Sequence, residues 1–378
     1  MLDAMDVMLY AFSLTAIQKE FGLSSAAAGA LASVTLVTSA FGGAIFGMLA
    51  DRVGRARALI YSILCYSVFT GLTATAASVG QLILWRALVG IGLGGEWSAG
   101  SVLVAESWPA EHRGKAIGIM QSGWAIGYIA AAALAAAILP VSGWRPLFLA
   151  GVFPALITLW IRRSVPEPAV WHPKAAGISW KALLRAPLRR RAAIATSLTA
   201  SVLFAYWGLF TWIPAYLSSP AARGGAGLGI VKSLGWIVPM QAGAFLGYTL
   251  FGLLADRFGR RPVFFAFVTG AAALAPAYGC AGEGTLMLLG PLLGFFGHGY
   301  FSLFGAMLAE LFPSGIRGTA QGLCYNTGRA VSALAPFTIG ALADRFGIGS
   351  ALGLTSLFFL TGAILVLQLP ETRGEVLT

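Results

Sequence analysis

Charge is scarce in this 378-residue sequence. Asp, Glu, Lys and Arg together make up 10% of it, and only 14 residues are acidic. Soluble domains carry about 25% charged residues, so a water-facing surface could not be built from this chain. Cysteine is nearly absent too. Cys65, Cys280 and Cys324 fall in apolar runs without paired spacing, which excludes a disulfide framework and a cysteine metal site and leaves them as small hydrophobes. There is no phosphate-binding loop and no clustered set of catalytic groups, so neither an ATPase nor another enzyme is expected, and no metal or organic cofactor is implied. No cleavable signal peptide is expected either, because the first apolar run has no basic segment before it and leads straight into further runs.

What the chain has in quantity is hydrocarbon. Apolar residues make up 58% of it, and its mean hydropathy is +0.80. A helix that crosses a bilayer needs roughly 20 apolar residues. On that ruler twelve spans follow one another, at about 2–18, 26–50, 58–78, 81–107, 115–139, 145–163, 192–217, 233–255, 262–281, 285–311, 318–341 and 349–369. The alternating ten-residue segments of a transmembrane barrel are absent. The 49 glycines suit helices packed closely in lipid, where small residues let backbones approach. The fold class is therefore an all-α membrane protein.

Net charge is +11, and +7 of it lies in Arg162–Arg191, between spans. That placement is a topology signal and argues against nucleic-acid binding. With an even number of spans and the N-terminus inside, 18 of the 25 Lys and Arg fall on inner loops or the C-terminus. Lys19, Arg145, Arg223, Lys232 and Arg345 fall outside, and Arg86 and Arg329 lie within spans. Both termini are expected to be cytoplasmic, in the plasma (inner) membrane.

The chain is also written twice. The turn Gly47-Met48-Leu49-Ala50-Asp51-Arg52-Val53-Gly54-Arg55 returns as Gly252-Leu253-Leu254-Ala255-Asp256-Arg257-Phe258-Gly259-Arg260, 205 residues later. Glu106 and Arg113 recur as Glu310 and Arg317, and Pro166-Glu167 as Pro370-Glu371, each 204 residues on. These turns resemble the signature loop of the major facilitator superfamily of transporters. The resemblance covers the whole chain and implies two six-helix halves, 1–163 and 191–378, joined by a basic cytoplasmic linker at 164–190. A binding site between the halves near mid-membrane follows. It further implies cytoplasmic gating ion pairs through Asp51 with Arg55, Asp256 with Arg260, Glu106 with Arg113 and Glu310 with Arg317, with Gly47, Arg52, Gly252 and Arg257 completing the turns. The bland alternative is that the basic residues only anchor topology, but the acid is repeated with the base, and anchoring requires no acid. Span one has almost no lead-in before Met1, whereas relatives of this type usually have a cytoplasmic tail and another turn or more of helix, so the true start is expected upstream.

Charge inside a span costs at least about 2.5–3.5 kcal/mol on insertion scales, so each case needs a reason. Asp3 and Asp6 sit three residues apart on one helical face, where two carboxylates cannot both ionise cheaply. The pair fits a proton carrier, against the alternative of one aspartate solvated at the boundary. Asp3-Ala4-Met5-Asp6 resembles the opening of the aromatic-acid and sialate/monocarboxylate proton symporters. In span four, Arg86 followed by Gly90 and Gly94 looks like that family's glycine-spaced motif, with Arg86 read as structural. Glu96, near mid-span, fits proton coupling and a buried hydrogen bond equally well. Gln321, Tyr325 and Arg329 recur every four residues as one polar stripe along span eleven. The planar fork of Arg329 suits a substrate carboxylate, against an internal ion pair with Glu96 or a span-one aspartate. Asn326, Gln121, Trp124, Tyr206, Trp207 and Gln241 are further cavity candidates. Trp212 and Tyr216 are expected at the membrane interface, and His298 as a packing residue.

The reading is a monomeric secondary transporter that imports a small organic anion, a monocarboxylate, sialate or aromatic acid, with protons. Span five (Gly118–Ile138) has no internal proline, a departure from the drug/proton antiporters that favours symport. A sugar or polyol porter of the same superfamily is the alternative within the class, and a transporter-like nutrient sensor the alternative outside it. Membrane lipid and protons are the other expected partners.

Overall fold

The structure, a computed structural model, describes residues 1–107, 110–167, 188–312 and 317–372; at some helical positions, Asp51, Glu106, Arg113 and Arg317 among them, it describes the backbone only. The linker expected at 164–190 therefore lies largely outside the described residues. All regular structure among those residues is helical. Helices α1 (Leu2–Phe21), α2 (Ser25–Val53), α3 (Arg55–Thr73), α4 (Val79–Ser107) and α5 (Ala110–Ser142) each form one span, and α6 (Trp144–Ala150) with α7 (Pro154–Ser164) forms the sixth. The second half repeats this with α8 (Leu188–Phe210) and α9 (Ile213–Ser218), then α10 (Ile230–Phe258) and α11 (Arg260–Gly279). It continues with α12 (Glu283–Gly299) and α13 (Phe301–Glu310), α14 (Arg317–Ser332) and α15 (Ala335–Phe346), and α16 (Ile348–Gly353) and α17 (Thr355–Leu367). By length and composition alone, seven helical segments among the described residues qualify as membrane-crossing. The remaining spans carry internal charge or are interrupted. Pro154, Pro214 and Pro336 stand in the first turns of α7, α9 and α15. Proline cannot donate to the preceding turn and clashes with it, so each ends one helix and opens the next.

Glycine sets how closely the helices of each half approach. A Cβ on Gly42 of α2 would overlap the Ile91 carbonyl of α4, and one on Gly90 would overlap the Thr35 carbonyl. The second half repeats both contacts at the same offset, with Gly247 against the Phe295 carbonyl and Gly294 against that of Met240. Gly94 meets the Ser39 carbonyl in the same seam. The repeat is thus a repeat of packing as well as of text. Gly94→Ala should cost about 1–3 kcal/mol of stability by overpacking backbone that cannot move aside. It should appear as a lower thermal midpoint in detergent, while Gly235→Ala, which faces open space, should leave the midpoint in place.

The two signature turns are built alike. Gly54 and Gly259 adopt φ of 115° and 104°, a region that L side chains rarely visit, and each joins two helices with no intervening loop. The carboxylate of Glu167 accepts hydrogen bonds from the backbone N–H of Arg55 at 2.6 Å and of Ala56 and Arg57 at 3.2 Å, capping α3. Glu371 does the same for α11, from Arg260 at 2.8 Å and Arg261 at 3.0 Å. This accounts for the repeated Pro-Glu pair: an acid satisfies the free amides of a helix start and complements its dipole.

Between the halves, α2 lies against α14 and α15, and α5 against α10 and α13. At the face opposite the signature turns the contact of α2 with α15 is reciprocal. Gly29 packs on the Pro336 carbonyl and Gly340 on the Ser25 carbonyl. Trp212 and Tyr216 differ from expectation here. Both are buried, at 1% and 3% exposure, because their polar atoms find partners inside the bundle: Trp212 Nε1 donates to the Pro336 carbonyl at 3.0 Å, and the Tyr216 hydroxyl to that of Tyr278 at 3.1 Å.

Candidate functional site

A cavity of about 420 Å³ lies between the halves. It is walled at mid-bundle by Asp3, Glu96, Gln121, Trp124, Tyr206, Trp207, Tyr325 and Arg329, so span one, span four, span five, span seven and span eleven all contribute as the sequence predicts. Leu59, Ile63, Leu103, Val104, Ile157 and Ile161 carry its walls toward the signature face. The opposite face is where α2 and α15 meet.

Arg329 has no ion pair among the described residues, and its Nε is buried without a hydrogen-bond partner. The internal ion pair with Glu96 or a span-one aspartate is therefore not formed there. Asp3 and Glu96 line the same space, and Glu96 Oε2 is likewise buried and unpartnered. Asp3 Oδ1 lies 3.5 Å from the Met1 ammonium. One guanidinium thus faces a cavity that already holds two carboxyl groups.

The aromatic side of the cavity is continuous. Trp124 packs edge-on against Trp207 at 5.9 Å and against Tyr206 at 6.5 Å, and Tyr206 and Trp207 meet at 5.3 Å between ring centroids. The indole N–H groups of Trp124 and Trp207 are buried without acceptors among the described residues. Tyr248 and Phe301 complete the wall, and neither was singled out from the sequence. Tyr248 lies two turns after Gln241 on α10, a spacing that offered a signal. His298 sits behind this wall, its ring 5.2 Å from Tyr206 and 4.0 Å from Phe210, with Nδ1 3.1 Å from the Gly294 carbonyl. It packs, as expected.

Three expectations need correction. Asp3 and Asp6 do not share a site, since consecutive positions on one face still differ in direction. Asp3 faces the cavity, whereas Asp6 is fully buried against Thr70, whose hydroxyl donates to it, with Oδ2 4.0 Å from Arg86 Nη1. Gln241 does not reach the cavity; it is buried with neither amide atom paired among the described residues. Asn326 is not among the lining residues either, because it is one position round the helix from Tyr325 and Arg329. Arg86, 1% exposed, lies 4.8 Å over the Tyr10 ring. A second cavity of about 30 Å³ beside it touches Asp3 and Arg329 as well, so the Asp6–Arg86 pair adjoins the main site. Gly90 and Gly94 serve helix approach.

At the signature face Arg260 bonds to Asp256 and lies 3.6 Å from Glu310, which also accepts from the Thr372 hydroxyl at 2.5 Å. In the first copy Arg55 Nη1 donates to the Ala50 carbonyl at 2.9 Å. Arg52 and Arg257 are exposed, and nothing crowds a Cβ at Gly47 or Gly252. The side chains of Asp51, Glu106, Arg113 and Arg317 lie outside the described residues, as do those of any pairs they make.

The family profile described as the Major Facilitator Superfamily matches residues 1–240 and again 225–377. The chain is 34% identical to a cis,cis-muconate transport protein of Acinetobacter baylyi, over 99% of this chain and 93% of that one. It is 29% identical to a sialic acid transporter of Escherichia coli, over 97% and 89%. The crystal structure of a D-xylose–proton symporter superposes with a TM-score of 0.79 at 20% identity, covering 100% of this chain and 97% of the other. At that identity the likeness speaks for the fold alone.

Proposed function

Because this chain belongs to the Major Facilitator Superfamily, we propose that it imports a small, planar organic acid together with protons by alternating access. The observation that carries the reading is the unpaired guanidinium of Arg329 in a cavity between the halves. Arg329 is half-buried with its Nε shut away from solvent. A cation drawn from water without a counter-charge is costly, and a substrate carboxylate supplies the partner in bidentate geometry. The aromatic wall of Trp124, Tyr206, Trp207 and Tyr248 suits a flat, conjugated body, and two unpartnered indole donors add hydrogen bonds at its edge. A puckered, polyhydroxylated acid such as sialate would stack on this wall less well than a flat one. The greater identity to a muconate transporter than to a sialic acid transporter agrees with this.

Coupling follows from electrostatics. An anion entering the cavity joins Asp3 and Glu96 around two cations, Arg329 and the Met1 ammonium beside Asp3. Three carboxylates outnumber those two cations in a low dielectric, so at least one carboxyl must hold a proton while the anion is bound. Asp6 forms the second station: ionised, it pairs with Arg86, and protonated, it releases it. Charge balance thus ties the substrate to the proton, and the proton gradient drives accumulation without a cofactor. The distribution of Lys and Arg supports an inner-membrane protein with the signature face, the linker and both termini on the cytoplasmic side, and in that orientation the cavity leads inward.

Proteoliposomes with an inward proton gradient test the reading. Labelled cis,cis-muconate and benzoate should accumulate, with sialate and lactate at least roughly tenfold poorer in kcat/KM, and glucose should not enter. Gradient-independent glucose uptake would move the chain to the sugar porters, and a preference for sialate would refute the planar-acid assignment.

A further inference from the structure

The signature turn is present a third time. Gly340-Ala341-Leu342-Ala343-Asp344-Arg345-Phe346-Gly347 repeats G-x-L-A-D-R-x-G at the end of α15, on the opposite face of the bundle. Gly347 adopts φ 81° and ψ 151°, the conformation of Gly54 and Gly259, and joins α15 directly to α16 as they join their helices. The acid of this copy does something the described part of the other copies does not. Asp344 Oδ1 accepts from the Ser25 N–H and Oδ2 from the Ala26 N–H, both at 3.0 Å. These are the first amides of α2, which belongs to the other half.

We infer that Asp344 is a gating residue of the transport cycle: its carboxylate holds the outer ends of α15 and α2 together while the cavity faces inward, and must let go when the outer side opens. Three further contacts place the latch on a closed seam. Gly340 packs on the Ser25 carbonyl, Gly29 on that of Pro336, and the Phe337 N–H donates to Ser33 Oγ at 3.3 Å. No residue of one half can keep such contacts when the halves separate at this face. The device is one-sided. Duplication relates Gly347 to Gly143, also at positive φ, but the position related to Asp344 is Pro140, which has no acceptor side chain. A carboxylate at a helix start combines two charge-assisted hydrogen bonds with a favourable dipole, and being exposed to water it can release them without stranding a buried charge.

The inference rests on alternating access but not on the substrate, so its test needs none. Spin labels on native Cys280 and on Thr75→Cys, with Cys65 and Cys324 replaced by alanine, report the separation of the two halves at the outer face in nanodiscs. Asp344→Ala should raise the ratio of outer-open to outer-closed molecules roughly tenfold, as loss of a helix cap implies. Asp344→Asn keeps one acceptor oxygen of two and should fall between wild type and alanine. Ser218→Ala, whose hydroxyl bonds only within its own half at the same face, should leave the distribution unchanged. An unchanged distance distribution in a folded Asp344→Ala protein overturns the inference. If that variant fails to fold, the asparagine variant decides: a shift toward longer distances supports the latch, and none refutes it. A planar-acid panel that fails while the distances shift would remove the substrate assignment and leave the latch standing.

Discussion

Arg329→Ala is expected to lower uptake of an organic acid roughly a hundredfold or more in kcat/KM, since truncating one side of a buried, hydrogen-bonded charge pair costs about 2–5 kcal/mol. The effect follows from the place of Arg329 on the cavity wall, where the only other described cation is the Met1 ammonium, already 3.5 Å from Asp3. Arg86, the other intramembrane arginine, lies 4.0 Å from Asp6 and over the Tyr10 ring, outside the lining of the main cavity. Arg329→Lys separates charge from geometry. It keeps the positive charge but loses the planar fork, so it should recover only part of the activity. Thermal melting in detergent controls for folding, and both variants should melt near wild type because Arg329 makes no ion pair among the described residues that its loss would break. Unimpaired acid uptake by Arg329→Ala would remove the carboxylate assignment altogether.

Asp6→Asn should uncouple the transporter. Concentrative uptake driven by a proton gradient is expected to fall at least roughly tenfold, while exchange of labelled for unlabelled acid at equal pH continues. An amide cannot take up and give back the proton that the Asp6–Arg86 pair is proposed to carry. Substitution leaves Arg86 without its carboxylate, so the pair's reversible release is lost even though the Thr70 hydroxyl can still bond to the side chain. The acceleration of wild-type uptake on acidifying the outside should flatten in the variant. If Asp6→Asn still concentrates substrate against a gradient, the coupling must reside in Asp3 and Glu96 alone. The double variant Asp3→Asn, Glu96→Gln would then show the loss.

Much of this arrangement was legible in the sequence, and the reason is physical. Lipid forces spans to be long, apolar and helical, so hydropathy and charged turns mark each one. An ionisable residue survives inside a span only with a purpose, which is why Arg329, Asp3 and Glu96 could be picked from a short list and the structure gathers all three around one cavity. Direction was the weaker signal. Asp3 and Asp6 look like one pair by spacing, but what lies opposite each is decided by α3 and α4, whose rotation no single sequence encodes. Gln241 and Tyr248 share a face of α10, and only the tyrosine reaches the cavity. Trp212 and Tyr216 looked interfacial because amphipathic aromatics usually are, yet each found a carbonyl inside the bundle. The third signature turn was readable throughout, but its meaning depends on α2 arriving from more than three hundred residues away.

The glutamates that follow the sixth span of each half have a consequence for how the chain is made. Glu167 reaches back 112 residues to Arg55, and Glu371 reaches back 111 residues to Arg260. The start of the third helix in each half is therefore left uncapped during synthesis until the ribosome has finished that half. Each clasp closes on residues of its own half, so the first six helices can complete their assembly in the bilayer before the seventh is inserted. Two separately translated halves should then find each other as preformed units.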